Sequence, residues 1–91
     1  MTYSIKSVDK NQKAIVAALR QRGVFVLDTH TLGNGAPDIF TCYRAEWVPM
    51  EIKSGKGKLT PDERDWWNRV GLEPIVIRDY DEALEVLGIA V

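Results

Sequence analysis

The sequence predicts an α/β domain, a small mixed β-sheet with flanking helices in the order α-β-β-β-α-β-α. Three observations carry this reading. Apolar residues recur at helical spacing in three segments; four short β-branched or aromatic runs lie between them; and the last run follows the third across a helix. A hairpin cannot bridge a helix, so that crossover sets the fourth strand parallel to the third. The chain has 91 residues, the length of a single domain spanning residues 1–91, and buries roughly two-thirds of its unfolded surface.

Asp9 is positioned to cap a first helix carrying Ala14, Ile15, Ala18 and Leu19, with Gly23 as its stop. Val24–Leu27 reads as a buried strand. Thr29–Pro37 is rich in turn formers and lacks an apolar period, a long loop for a chain of this size. Asp38–Tyr43 and Trp47–Lys53 read as strands joined through the three residues Arg44-Ala45-Glu46. That connection sets Tyr43 opposite Trp47 as a cross-strand pair and Asp38 opposite Ile52. Pro49 donates no ladder hydrogen bond, so it needs a bulge or a non-donating position. Ser54–Lys58 is a flexible basic loop. Thr60, Pro61 and Glu63 form a capping-box start for a helix running to Val70 and stopping at Gly71. Pro74–Arg78 reads as the fourth strand, and Asp79 or Asp81 opens a last helix with Ala83, Leu84, Val86 and Leu87.

Composition narrows the function classes. Hydrophobic residues are 45% and charged residues 27%, which excludes disorder and collagen-like repeats. The single cysteine, Cys42, excludes an internal disulfide framework and a Cys-based zinc site, and reads as core filling. No apolar run approaches the roughly 18 residues of a membrane span, and Met1–Lys6 has no apolar h-region. The expectation is a small cytosolic domain with no membrane partner. Net charge is −1, yet residues 1–70 hold eleven Lys/Arg against eight Asp/Glu, while residues 71–91 hold only Arg78 against five acids. A basic face beside an acidic tail helix keeps a nucleic-acid partner open, with a mixed solvated surface as the alternative.

The chemistry concentrates on Asp38, Glu51 and Lys53. Glu51 and Lys53 are two apart on a strand and share a face, and the short hairpin returns Asp38 beside them. Two carboxylates a few ångströms apart repel unless a cation separates them. Oxygen ligands with open positions suit Mg²⁺ or Mn²⁺, and the backbone carbonyl of Ile52 can complete the protein's ligand set. Lys53 would orient an attacking water or stabilise a charged transition state. The triplet Glu51-Ile52-Lys53 alone reads equally as a surface salt bridge; its weight comes from conjunction with the Gly35–Asp38 loop, the hairpin and the glycine-lysine loop.

Gly35-Ala36-Pro37-Asp38 followed by Glu51-Ile52-Lys53 resembles the PD-(D/E)XK nuclease signature. The continuation from Ser54 through Glu63 is similar to that of its VRR-NUC subfamily, found in phage and bacterial standalone nucleases. The resemblance covers nearly the whole chain. It implies a restriction-endonuclease-like core, action in a bacterial or phage-infected cytosol and divalent-metal-dependent cleavage of DNA phosphodiesters. In that scheme Asp38, Glu51 and Lys53 are catalytic, and four-way junctions are a candidate substrate. A homodimer is the natural arrangement for cutting two strands. The chain departs from the family in two places. Glu63 stands where a glutamine is frequent, and the first helix offers Asp9, Asn11 and Gln12 where relatives carry a metal-holding glutamate. Gln12, on the Ile15/Leu19 side of its helix, is the candidate site-facing residue. A binding module of the same fold without turnover, or a nuclease subunit that needs a partner for specificity, are the alternatives.

Lys56 and Lys58 stand ready to touch phosphates, with a solvated loop as the plainer reading, and Asn34 and Thr31 are further candidates to grip a phosphate. His30 reads as a solvated or structural histidine, with a general base as the alternative. Trp66 and Trp67 are about 100° apart on their helix. Trp66 makes the better core stripe, leaving Trp67 half-exposed as a dimer contact, a base-stacking platform or a residue packed on the last helix.

Overall fold

The computed structural model describes residues 3–90, with side chains from Asn11 onward. Seven elements follow in order: α1 (Tyr3–Gln21), β1 (Phe25–Asp28), β2 (Ile39–Tyr43), β3 (Glu46–Ile52), α2 (Pro61–Val70), β4 (Val76–Ile77) and α3 (Tyr80–Leu87). The strands form one mixed sheet in the order β1-β2-β3-β4, antiparallel except for the parallel β3–β4 pair. The crossover through α2 therefore has the expected sense.

Helix α1 begins at least as early as Tyr3, so Asp9 lies inside it and does not cap it. Its inward stripe is Gln12, Ile15, Val16 and Leu19, spaced as one helical face, while Ala14 is exposed. The helix closes where the Val24 N–H reaches back to the Leu19 carbonyl at 3.0 Å. One face of the sheet, carrying Val26, Ile39, Met50, Ile52 and Ile77, packs against α1 and α3 and makes the main core.

The opposite face carries Phe25, Leu27, Phe40, Cys42, Trp47 and Pro49. Helix α2 covers only part of it, with the Trp66 ring edge-on to Phe40 at 6.2 Å. This corrects two sequence expectations. Strand β1 is buried on one side only, with Phe25 60% and Leu27 49% exposed, and Cys42 is half-buried on the same open side. The two tryptophans also exchange roles: Trp67 is 1% exposed and Trp66 is half-buried. Periodicity within ten residues could not decide which side of α2 meets the sheet; the direction of the loop before it did.

The hairpin is one residue tighter than expected. Tyr43 pairs with Glu46 and Cys42 with Trp47, leaving a two-residue turn at Arg44-Ala45. Both turn residues have positive φ, 53° and 68°, the pattern that matches the right-handed twist of the strands. Neither residue favours that region, so the usual Asn-Gly signal is missing. The Arg44 guanidinium lies 5.3 Å from the centre of the Tyr43 ring, which offsets part of the strain. Trp47 accordingly packs edge-on against Phe25, at 5.8 Å, rather than pairing with Tyr43. Pro49 faces the β4 side of β3, where the two-residue β4 does not reach it, so no ladder bond is lost.

Helix α2 starts with the expected box. The Thr60 side chain accepts from the Glu63 N–H at 3.2 Å, and Glu63 Oε1 accepts from the Thr60 N–H at 2.9 Å. Asp79 caps α3 by accepting from the Glu82 N–H at 2.8 Å. Among the described residues, no helix is long and apolar enough to cross a membrane.

Candidate active site

The shifted register decides where the acids meet. The β2–β3 ladder ends at Ile39 against Met50. One step further sets Asp38 beside Glu51 itself, not Ile52, so both carboxyls project to the α2 side of the sheet. Glu51 and the backbone N–H of Lys53 are tied to β4, through Glu51 N–H to Ile75 O at 2.8 Å and Lys53 N–H to Ile77 O at 3.0 Å. Ile52 therefore turns its backbone toward β2, beyond the last ladder rung. Its N–H donates to Asp38 Oδ2 at 2.8 Å, and strand geometry turns its carbonyl to the same side.

Asp38 is delivered by a closed loop. The Thr29 N–H donates to the Asp38 carbonyl at 2.8 Å and the Thr29 hydroxyl to the Pro37 carbonyl at 2.7 Å, which clamps the two ends together. Within the loop Asn34 occupies an exposed turn position with φ 56°, a conformation asparagine tolerates. That geometry accounts for Asn34, and Thr31 is likewise exposed. Gly35, with φ 78°, presses its bare Cα against the Asp62 carbonyl of α2. A methyl there would collide with it, so the loop and the start of α2 are fitted to one another.

Glu51 is 1% exposed, and its Oε1 has no hydrogen-bond partner. Burial pushes its carboxyl up to about 10, with the adjoining Asp38 and then Glu63 adding to the shift. Lys53 is nearer to Glu63 than to Glu51: Nζ lies 2.7 Å from Glu63 Oε1 and 3.8 Å from Glu51 Oε2. The ammonium is thus the partner of Glu63. Burial opposes the Glu63 charge, but hydrogen bonds from Lys53 and the Thr60 backbone outweigh it and hold that carboxyl below its usual range. Glu63 therefore joins the cluster directly. The capping box explains its place in the sequence; only the packing of α2 over β3 brings it to Lys53.

Gln12 is buried and lies with β1, donating from Nε2 to Asp28 Oδ1 at 2.9 Å while its Oε1 is unpaired. Asp28 also accepts from the His30 backbone at 3.3 Å and meets His30 Nδ1 at 2.6 Å. Burial works against its charge, but these donors hold it below the usual carboxylate range. His30 is thus anchored to Asp28, on the core side of the sheet. Lys56 and Lys58 are exposed on the loop after β3. Gly57 lies over the stem of Lys53, where an added Cβ would sit 3.6 Å from Lys53 Cβ. Two residues without a sequence signal hold the base of this loop: Arg78 donates to the Gly55 carbonyl at 3.0 Å, and Asn11 reaches the Ser54 hydroxyl at 3.4 Å.

Among the described residues, no group of three or more His, Cys, Asp or Glu side chains is placed to hold a metal ion. Mg²⁺ needs only one or two carboxylates from a protein when waters and substrate phosphate fill the remaining positions. The abutting Asp38 and Glu51 carboxyls, with the unpaired Glu51 Oε1, are a donor set of that limited kind. Compared with models of protein families, with curated proteins and with solved structures, the chain finds no match.

Proposed function

We propose that the chain is a divalent-metal-dependent DNA endonuclease with a restriction-endonuclease-like core, of the PD-(D/E)XK type and similar to the VRR-NUC subfamily. The observation that carries this reading is the meeting of Asp38 and Glu51 across two strands, with Lys53 on the same face and Glu51 Oε1 unpaired. Bound by Asp38, Glu51 and the Ile52 carbonyl, Mg²⁺ or Mn²⁺ would supply Lewis-acid neutralisation of charge on a phosphodiester under attack. The chain's own groups do the rest. The Ile52 N–H fixes the Asp38 carboxylate in place. Lys53, released from Glu63, neutralises charge on the transferring phosphate or orients the attacking water. Lys56 and Lys58 contact the flanking backbone phosphates without reading sequence.

The 2.7 Å contact between Lys53 and Glu63 favours a second reading, a nucleic-acid-binding module of the same fold whose lysine is held out of catalysis. One experiment separates the two: linear, nicked, flapped and four-way DNA incubated side by side with Mg²⁺ or Mn²⁺. Wild type is expected to cut, and Asp38→Ala and Lys53→Ala to lose at least about 10²-fold in rate while keeping their folded spectra. Binding without cleavage at every metal concentration selects the module, and full activity in either variant defeats the assignment.

A further inference from the structure

The open half of the α2-side sheet face is the largest feature the nuclease reading leaves unused. Two cross-strand rows build it, Phe25–Cys42–Trp47 and Leu27–Phe40–Pro49, and Trp66 borders it from α2. Phe25, Leu27 and Trp47 are 60%, 49% and 55% exposed. We propose that this face is where a second copy of the chain docks, sheet face to sheet face, about a two-fold axis.

Area and charge argue for that occupant. With about 150–250 Å² per aromatic side chain, these three residues expose on the order of 300 Å² of apolar surface. A standard interface buries about 800 Å² per partner, a little over half of it apolar. The patch therefore supplies most of the apolar share of one such face. No strand residue on it is charged. A two-fold contact brings each residue near its own copy, where a like charge would repel, so a neutral patch suits self-association. The same neutrality argues against a nucleic acid, which needs Lys or Arg. The β1 edge is a less suitable contact than the face. Its outward Val26 carbonyl already accepts from the Arg20 guanidinium at 2.8 Å, which obstructs strand addition. The interface thus falls on Phe25 and Trp47, not on Trp67, which is buried.

Sedimentation velocity of the full chain from about 1 to 100 μM, concentrations that bracket ordinary dimer affinities, tests the assignment. Wild type is expected to reach twice its 10.3 kDa mass. Trp47→Lys and Phe25→Lys are each expected to raise the dissociation constant at least about 100-fold, since an anchor lost from a two-fold contact is lost twice. Val86→Lys, on α3 and away from this face, is expected to leave it unchanged. Amide exchange on the wild type gives a readout that needs no variant: protection along residues 25–28 falls on dilution. A wild type that is monomeric throughout, whether or not it binds single-stranded DNA, overturns the proposal, as does a dimer that both lysine variants leave intact. The result does not depend on the nuclease reading, whose readouts are cleavage and metal-induced stabilisation.

Discussion

Glu51→Gln keeps the shape of the side chain and replaces a buried ionisable group with a neutral amide. In the wild type, burial, with Asp38 and Glu63 adding to it, pushes the Glu51 carboxyl from 4.5 to about 10. Between those values the folded chain keeps a proton that the unfolded chain has released. The contribution to stability is therefore complete below about pH 4.5 and is lost as the pH climbs toward 10. One group contributes at most about 1.4 kcal/mol per pH unit, so from pH 5 to pH 8 the limit is about 4 kcal/mol. Relaxation around the site lowers this to an expected loss of about 1–3 kcal/mol, or roughly 5–20 °C in Tm for a domain of this size. Thermal unfolding at pH 5 and pH 8, without metal, reads it directly: the variant matches wild type at pH 5 and exceeds it at pH 8. Added Mn²⁺ takes the proton's place in the wild type and raises its Tm at pH 8, by about 2.7 kcal/mol at 100 times the dissociation constant. The variant does not respond. A wild type without the excess pH slope, or a variant that keeps the Mn²⁺ response, would refute the reasoning.

Three further substitutions probe the supports of the site. Gly35→Ala combines a left-handed φ with a collision against the Asp62 carbonyl, so it should cost at least about 2 kcal/mol in urea unfolding. Trp67→Ala should cost about 3–5 kcal/mol, and Trp66→Ala, half-buried at the patch margin, about half as much by the same measurement. Glu63→Gln keeps an acceptor for the Thr60 N–H but loses the charge facing Lys53. It should cost about 1 kcal/mol in stability and change the cleavage rate by less than about tenfold, against the at least 10²-fold loss expected for Asp38→Ala.

Much of this architecture was readable from local signals because local physics governs it. The Thr60-Pro61-Glu63 start of α2 and the Asp79 start of α3 are contacts within four residues, and they form as the spacing indicates. The parallel β3–β4 pair follows from the crossover alone. The hairpin register was not readable. Arg44-Ala45 carries no turn signal, and strand twist imposed a two-residue turn on residues that resist it. That single-residue difference moved Asp38 from the level of Ile52 to the level of Glu51. The start of α1 was also hidden, because helix formation runs past Asp9 to Tyr3 without needing that cap.

The sequence by itself determined the order of the elements, the mixed sheet and the approach of Asp38, Glu51 and Lys53 to one end of it, since period, caps and chain connectivity act over a few residues. Tertiary packing decided the rest. It buried Trp67 instead of Trp66, turned Gln12 to Asp28, brought Glu63 to Lys53 and left Phe25, Leu27 and Trp47 open to solvent. Each of those outcomes depends on which face of α1 or α2 meets the sheet and how much of the sheet a ten-residue helix can cover. Those are contacts between residues far apart in the chain, and no local pattern records them.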